Sequence, residues 1–144
     1  MNIVFVEPAF PNNQRRFVTA LAGVGANVIG IGESDEWSLD PEVRESMLGY
    51  YKVSNVTNVR EMTDAVKFIQ SKLWVDRLEA TIESHTMAAA QVREATGIPG
   101  TSVHATWLCR DKPSMKEALR AAGVPTAAST AADHADQIWD FAAA

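Results

Sequence analysis

Residues 1–32 read MNIVFVEPAF PNNQRRFVTA LAGVGANVIG IG, and this stretch decides the fold. Ile3, Val4, Phe5 and Val6 stand consecutively. Such a run suits a parallel strand buried on both faces better than a half-exposed one. Acidic Glu7 and Pro8 end it, and Pro8 to Asn13 is turn chemistry. Asn12 or Asn13 is placed to cap a helix whose apolar positions Phe17, Leu21 and Val24 keep helical spacing. Gly23 and Gly25 stop that helix, and Asn27 to Ile31 supplies a second apolar strand. Strand, helix and strand in this order make a βαβ unit, whose crossover is expected to be right-handed.

The alternation continues outward. Residues 33–48 are acidic and polar with Pro41, which predicts a loop and a short helix. Tyr50 to Val53 is expected as a third strand. Glu61 to Trp74 carries Met62, Val66, Ile69 and Leu73 on one helical face. Leu78 to Glu83 is expected as a fourth strand, and Ser84 as the cap of a helix running through Met87 and Val92 to Gly97. The order implies an α/β architecture: a Rossmann-like open, mostly parallel sheet of about four strands with helices on both faces.

A helical segment follows the Pro99-Gly100 turn. Thr101 to Cys109 reads as a short helix, and Pro113 sits where a proline suits the first turn of another. That second helix carries Met115, Ala118, Leu119 and Ala122 on one face and ends at Gly123. Val124 to Thr126 reads as extended and Ala131 to Phe141 as helical. The last helix shows no C-terminal cap signal, as expected of a chain that continues past Ala144. The expected division is a sheet domain over 1–100 and junction helices over 101–144.

Composition narrows the class. With 47% apolar and 22% charged residues, the 144-residue chain is of the soluble globular kind and long enough to bury a core. Net charge is −5, without a basic run or an aromatic-interleaved basic stripe, which argues against a nucleic-acid binder. The apolar start is too short for a signal sequence or a membrane span, so a cytoplasmic location is expected. The single Cys109 excludes an intrachain disulfide framework and a four-cysteine zinc site.

The most specific segment is 97–126, GIPGTSVHATWLCRDKPSMKEALRAAGVPT. It offers Gly97, Pro99 and Gly100, then Asp111-Lys112, Met115-Lys116, and Ala122-Gly123-Val124-Pro125-Thr126. This resembles the junction of ATP-grasp enzymes, where an N-terminal α/β domain hands over to the nucleotide-binding fold. The match is to the biotin-carboxylase-like and carbamoyl-phosphate-synthetase-like branch.

The resemblance implies the front end of an ATP-dependent carboxylate–amine ligase that works through an acyl-phosphate. It implies ATP and Mg²⁺ as cofactors, small-molecule carboxylate and amine substrates, and it admits a homodimer. The glycine-rich loop, adenine clamp and magnesium-binding carboxylates are expected beyond residue 144, so residues 1–144 alone are expected to be inactive. In that branch the lysine of the Asp-Lys pair contacts the ATP phosphates, which assigns Lys112 this role. An ammonium at a helix start opposes the helix dipole unless an anion sits nearby, whereas Asp111 is a good N-cap.

Glu7 stands just past the first strand, and Glu83 and His85 just past the fourth. Ligands of open parallel sheets bind outside the carboxyl ends of strands, so these three are the acceptor-substrate candidates. The alternative for Glu83 and His85 is decoration of a helix's first turn. Arg15 and Arg16 are positioned to meet a carboxylate substrate or an acidic loop. Trp37, Trp74 and Trp139 are expected as partly buried anchors. His104, His134 and Cys109 show no metal-ligand spacing.

Other functions of such a sheet fit less well. The first turn, EPAFPNNQ, lacks the glycines of a dinucleotide-binding loop. A receiver-type domain would want paired acids after the first strand, and Glu7 stands alone. The competing class is a non-catalytic Rossmann-like binding or interaction module.

Overall fold

In a computed structural model, which describes residues 1–143, the opening stretch forms β1 (Asn2–Val6), α1 (Gln14–Gly23) and β2 (Asn27–Gly32). Next come a 3-10 turn (Glu36–Ser38), α2 (Pro41–Glu45), β3 (Met47–Lys52), α3 (Val59–Gln70), β4 (Arg77–Glu79) and α4 (Glu83–Thr96). The four strands form one sheet in the order β3-β2-β1-β4, and every pair is parallel. This is the α/β sheet expected from the apolar runs.

Side-chain alternation along the strands divides the core into two layers. Val4, Val6, Ile29, Ile31 and Leu78 pack with Met62, Val66 and Ile69 of α3 and Ala89 and Val92 of α4. Phe5 and Val28, one residue out of phase, pack with Val18 of α1 and Val43 of α2. Helices therefore cover both faces, which is why β1 and β2 carry no polar side chain past their first residues, Asn2 and Asn27. Each fully buried aliphatic side chain contributes about 1.5–3 kcal/mol.

Glycine at position 30 has a packing reason: a Cβ there would fall 2.6 Å from Met47 Sδ and 2.8 Å from Tyr50 Cδ2. α4 ends as its sequence requires, with Gly97 in the left-handed region at φ 70°.

Several boundaries differ from expectation. In α1 the fully buried residue is Val18; Phe17 is partly exposed and stacks on Phe5 at 6.2 Å, while Val24 lies past the helix end, 82% exposed. Asn13 occupies the N-cap position, but its side chain makes no cap hydrogen bond. β3 starts earlier, at Met47, with an irregularity in its register against β2 at Val28/Ile29. α3 starts at Val59 because Asn58 caps it, accepting from the Glu61 amide at 3.3 Å, and it stops at Gln70, short of Trp74.

β4 keeps only three residues. Ile82 takes the N-cap position of α4, so Glu83 and Ser84 lie inside the helix. The tryptophans do not anchor: Trp37, Trp74 and Trp139 are 78%, 74% and 73% exposed.

Compactness divides the chain into Met1–Thr106 and a second unit from Trp107 onward. The division falls within α5 (Val103–Arg110). In the second unit, α6 (Lys112–Ala121) starts on Asp111, whose carboxylate accepts the Ser114 amide at 3.0 Å, with Pro113 in the first turn. Gly123 turns the chain at φ 74°, and α7 (Ala135–Ala143) follows.

Candidate functional site

The strand order fixes one crevice. From β1 the chain moves to β2 and β3 on one side, then crosses to β4 on the other. Outside the carboxyl ends of β1 and β4, where the order reverses, parallel sheets offer space for ligands. Glu7 leaves β1 at this edge, Glu33 leaves β2, and α4 begins there with Glu83.

Glu7 is unusual in backbone and side chain. Its φ is 57°, a left-handed value that few non-glycine residues adopt. It is 5% exposed. Its amide donates to the Ile31 carbonyl at 2.7 Å, and its Oε2 accepts the Glu33 amide at 3.1 Å. Burial pushes its carboxyl above the usual carboxylate range; the Glu33 amide opposes the shift, the Glu33 charge adds to it and the Ala9 amide opposes it. Gly32 makes room for this carboxylate, since a Cβ there would lie 3.2 Å from Glu7 Oε1 and 2.7 Å from the Tyr50 hydroxyl. That hydroxyl donates to the Ser34 carbonyl at 2.9 Å, and burial, followed by the Glu7 charge, pushes the phenol well above its ordinary pKa.

His85 sits in the first turn of α4, half-buried. Its Nδ1 is buried and has no hydrogen-bond partner among the described residues. Burial pushes its pKa down, with Glu33 pulling the other way. Glu33 thus lies within electrostatic reach of both Glu7 and His85. Glu83 is exposed and, among the described residues, adds no side-chain contact to the group.

Arg15 turns to the acidic loop, with Nη1 3.7 Å from Asp40 Oδ2. Gln14, 3% exposed, accepts the Thr81 hydroxyl and stitches the start of α1 to the turn after β4. Glu33, Tyr50 and Gln14 are additions that sequence reading missed. Only Glu33 carried a usable signal, being the first residue past an apolar strand.

Lys112 belongs to the second unit. It opens α6 as an exposed residue and lines a cleft of about 410 Å³ with Pro113, Lys116, Glu117, Arg120 and the chain at Ser129–Ala131. The Ser114 hydroxyl and amide hold the Asp111 carboxyl below its ordinary range, as suits a cap. The lining brings together the cations Lys112, Lys116 and Arg120, the acid Glu117 and the hydroxyl residues Ser129 and Thr130. Among the described residues, no group of three or more His, Cys, Asp or Glu side chains is arranged to hold a metal ion. No helix there is long and apolar enough to cross a membrane.

No protein-family model matches the sequence, and no curated protein matches it. Solved structures do match. Phosphoribosylglycinamide synthetase from Anaerococcus prevotii superposes with a TM-score of 0.73 at 15% identity, over 99% of this chain and 34% of that one. L-amino acid ligase from Bacillus licheniformis gives 0.68 at 17% identity, over 87% of this chain and 31% of that one. This chain shares its fold with part of each of these two enzymes. It spans about a third of the length of these two structures. The likeness agrees with the resemblance carried by the segment from Gly97 to Thr126.

Proposed function

We propose that this chain is the N-terminal part of an ATP-dependent carboxylate–amine ligase. The observation that carries the proposal is the fold likeness to two ligases over nearly the whole chain but only a third of theirs. In the proposed reaction a carboxylate oxygen attacks the γ-phosphorus of ATP and ADP leaves. An amine then attacks the acyl carbonyl, inorganic phosphate departs, and the nitrogen loses a proton. Magnesium supplies neutralisation of the phosphate charge when bound.

This chain's residues bind and orient. Lys112 contacts the phosphates as a mobile point charge. Glu7, Glu83 and His85 face the acceptor substrate, with Glu7 held by its amide contacts. Residues 1–100 then form the acceptor-side domain, and 101–144 lead into the nucleotide-binding unit. Supporting this, Glu7 and His85 occupy the switch-point edge of the sheet and share Glu33 as a neighbour.

Reading the coding sequence downstream of residue 144 is the direct test. An apolar strand with a lysine and a glycine-rich loop is expected; a stop codon at that point would favour the non-catalytic module instead. Purified residues 1–144 are expected to show no ATP turnover. Turnover that disappears in Lys112→Ala would overturn that part of the proposal.

A further inference from the structure

Beyond the carboxyl ends of β1 and β2 lies a second cavity. The loops after these strands, together with α1 and α2, enclose about 290 Å³. Leu39 and Val43, 4% and 2% exposed, supply apolar lining, and Asn12, Arg15, Ser38 and Asp40 supply polar lining. Among the described residues, none of Glu7, Glu33, Glu83 and His85 belongs to this lining. α1 and α2 cover the layer of Phe5 and Val28, whereas Glu83 and His85 stand on α4, which packs on the opposite face of the sheet.

The cavity carries one charge of each sign. Arg15 Nη1 stands 3.7 Å from Asp40 Oδ2, beyond hydrogen-bond reach, and both side chains are about half-exposed. A pair this open contributes little to stability. Asp40 is held in place from its other oxygen, since Oδ1 accepts the Glu42 amide at 2.9 Å as the cap of α2. A lone anion drawn to Arg15 would meet Asp40, and a lone cation drawn to Asp40 would meet Arg15. A ligand that bears both charges close together satisfies the two at once.

Both loops also expose a large aromatic side chain where they border this lining. Phe10 follows Ala9 and is 70% exposed, and Trp37 precedes Ser38 and is 78% exposed. One exposed apolar residue is ordinary, but one on each loop beside a polar cavity offers cover for an apolar ligand tail.

We infer that this cavity binds a free α-amino acid with an apolar side chain. Arg15 takes the carboxylate, Asp40 takes the ammonium, and Phe10 and Trp37 border the side chain. An α-amino acid holds its two charges on either side of one carbon, which suits the short gap between Arg15 and Asp40. A peptide holds its terminal charges at least a peptide unit apart. The site is separate from the proposed acceptor edge and does not depend on the ligase reading.

Titration of the isotope-labelled 144-residue chain with L-leucine, followed through amide shifts by nuclear magnetic resonance, tests the site. Saturable one-to-one shifts are expected at Ala9, Asn12, Arg15, Ser38 and Asp40. Arg15→Gln and Asp40→Asn should each weaken binding about ten-fold, the effect of one charge-assisted hydrogen bond. Asparagine still caps a helix, so the second variant tests the charge rather than the fold. Isocaproate lacks the ammonium of leucine and isoamylamine lacks its carboxylate; both should bind about ten-fold more weakly, as should glycyl-leucine. Phe10→Ala and Trp37→Ala should each weaken L-leucine about three-fold and leave glycine unchanged. Unaltered dispersion of the other amides verifies that each variant is folded.

Absence of saturable shifts with L-leucine overturns the inference, as does wild-type affinity in either charge variant. Isocaproate, isoamylamine or glycyl-leucine binding as well as L-leucine overturns the requirement for adjacent opposite charges. Undiminished L-leucine binding in both aromatic variants overturns the apolar preference. Shifts confined to Glu7, Glu33 and His85 would move the amino acid to the acceptor edge, overturning the separate site and leaving the ligase proposal standing.

Discussion

The two units are built on opposite terms. Before Trp107, apolar side chains from four strands and four helices are buried in two layers, among them Val4, Phe5, Ile31, Met62 and Leu78 at 2% exposure or less. From Trp107 onward no described residue is buried, and Ile138, Trp139 and Phe141 of α7 are 57%, 73% and 41% exposed. Intrinsic propensity, capping and side-chain hydrogen bonds hold the second unit's helices. A burial-driven fold resists local opening, whereas helices without a buried face open at small cost.

The largest expected effect is a core truncation set against a matched truncation in the second unit. Leu78→Ala removes a fully buried side chain from β4 and should cost about 3 kcal/mol, lowering the melting temperature by more than about 10 °C. Trp139→Ala deletes a larger side chain and should leave the melting temperature of the sheet domain unchanged. Thermal unfolding followed by circular dichroism decides; equal losses would erase the contrast between the units.

Limited tryptic digestion sharpens the same contrast. Cleavage at Arg110, Lys116 and Arg120 should precede any cut within α3 or α4, leaving a resistant N-terminal core detectable by mass spectrometry. Early cleavage at Lys67 would show that the sheet domain opens as readily as the second unit.

Within the first unit, the buried edge groups should give a pH signature of their own. The Glu7 carboxyl is raised in the fold, so the folded state holds more protons there than the unfolded state above pH 4.5. Stability from this group is present below that pH and is lost as pH rises through its folded value. The His85 pKa is lowered, so its contribution is present above pH 6.5 and is lost as pH falls. Glu7→Gln should raise stability at pH 7 and flatten the acidic limb of the profile, and His85→Asn should remove the loss below pH 6.5. An unchanged urea-unfolding profile in both variants would show that the two groups are not coupled to folding.

The smallest effect pairs two helix caps. Asn58→Ala removes the cap of α3 and should cost the domain about 1 kcal/mol. Asp111→Ala removes the equivalent bond in α6 and should appear only as faster amide exchange near Ser114, with the melting temperature unmoved.

Sequence reveals the parts of the molecule governed by local rules. β1 and β2 are legible because a strand covered on both faces must be apolar throughout, and α4 ends where glycine supplies the left-handed turn. Asp111 caps as its position demands. β4 is misjudged because Glu79 points to solvent at a sheet edge and the turn chemistry after it is spread over Ala80 to Ile82. Tryptophan size alone predicts burial that neither unit provides.

The candidate site is half legible. Glu7 and His85 follow from strand ends, but their neighbours do not. Tyr50 reaches the site through the parallel register that sets Gly30 beside it, and Gln14 through its bond to Thr81, sixty-seven positions along the chain. No local pattern encodes such pairings.

Arg93 is the chain's exit latch. Buried at 7% exposure, it grips the Leu78 carbonyl and the Thr101 carbonyl at 2.9 Å each, and its side chain fills the space that a Cβ at Gly100 would need, 2.6 Å from Arg93 Cδ. One methyl group at position 100 would therefore lever the guanidinium off both carbonyls at once. The heading with which the chain leaves the sheet is set by a single side chain bolted to the sheet's edge strand β4, and residue 100 is its smallest and most sensitive adjusting screw.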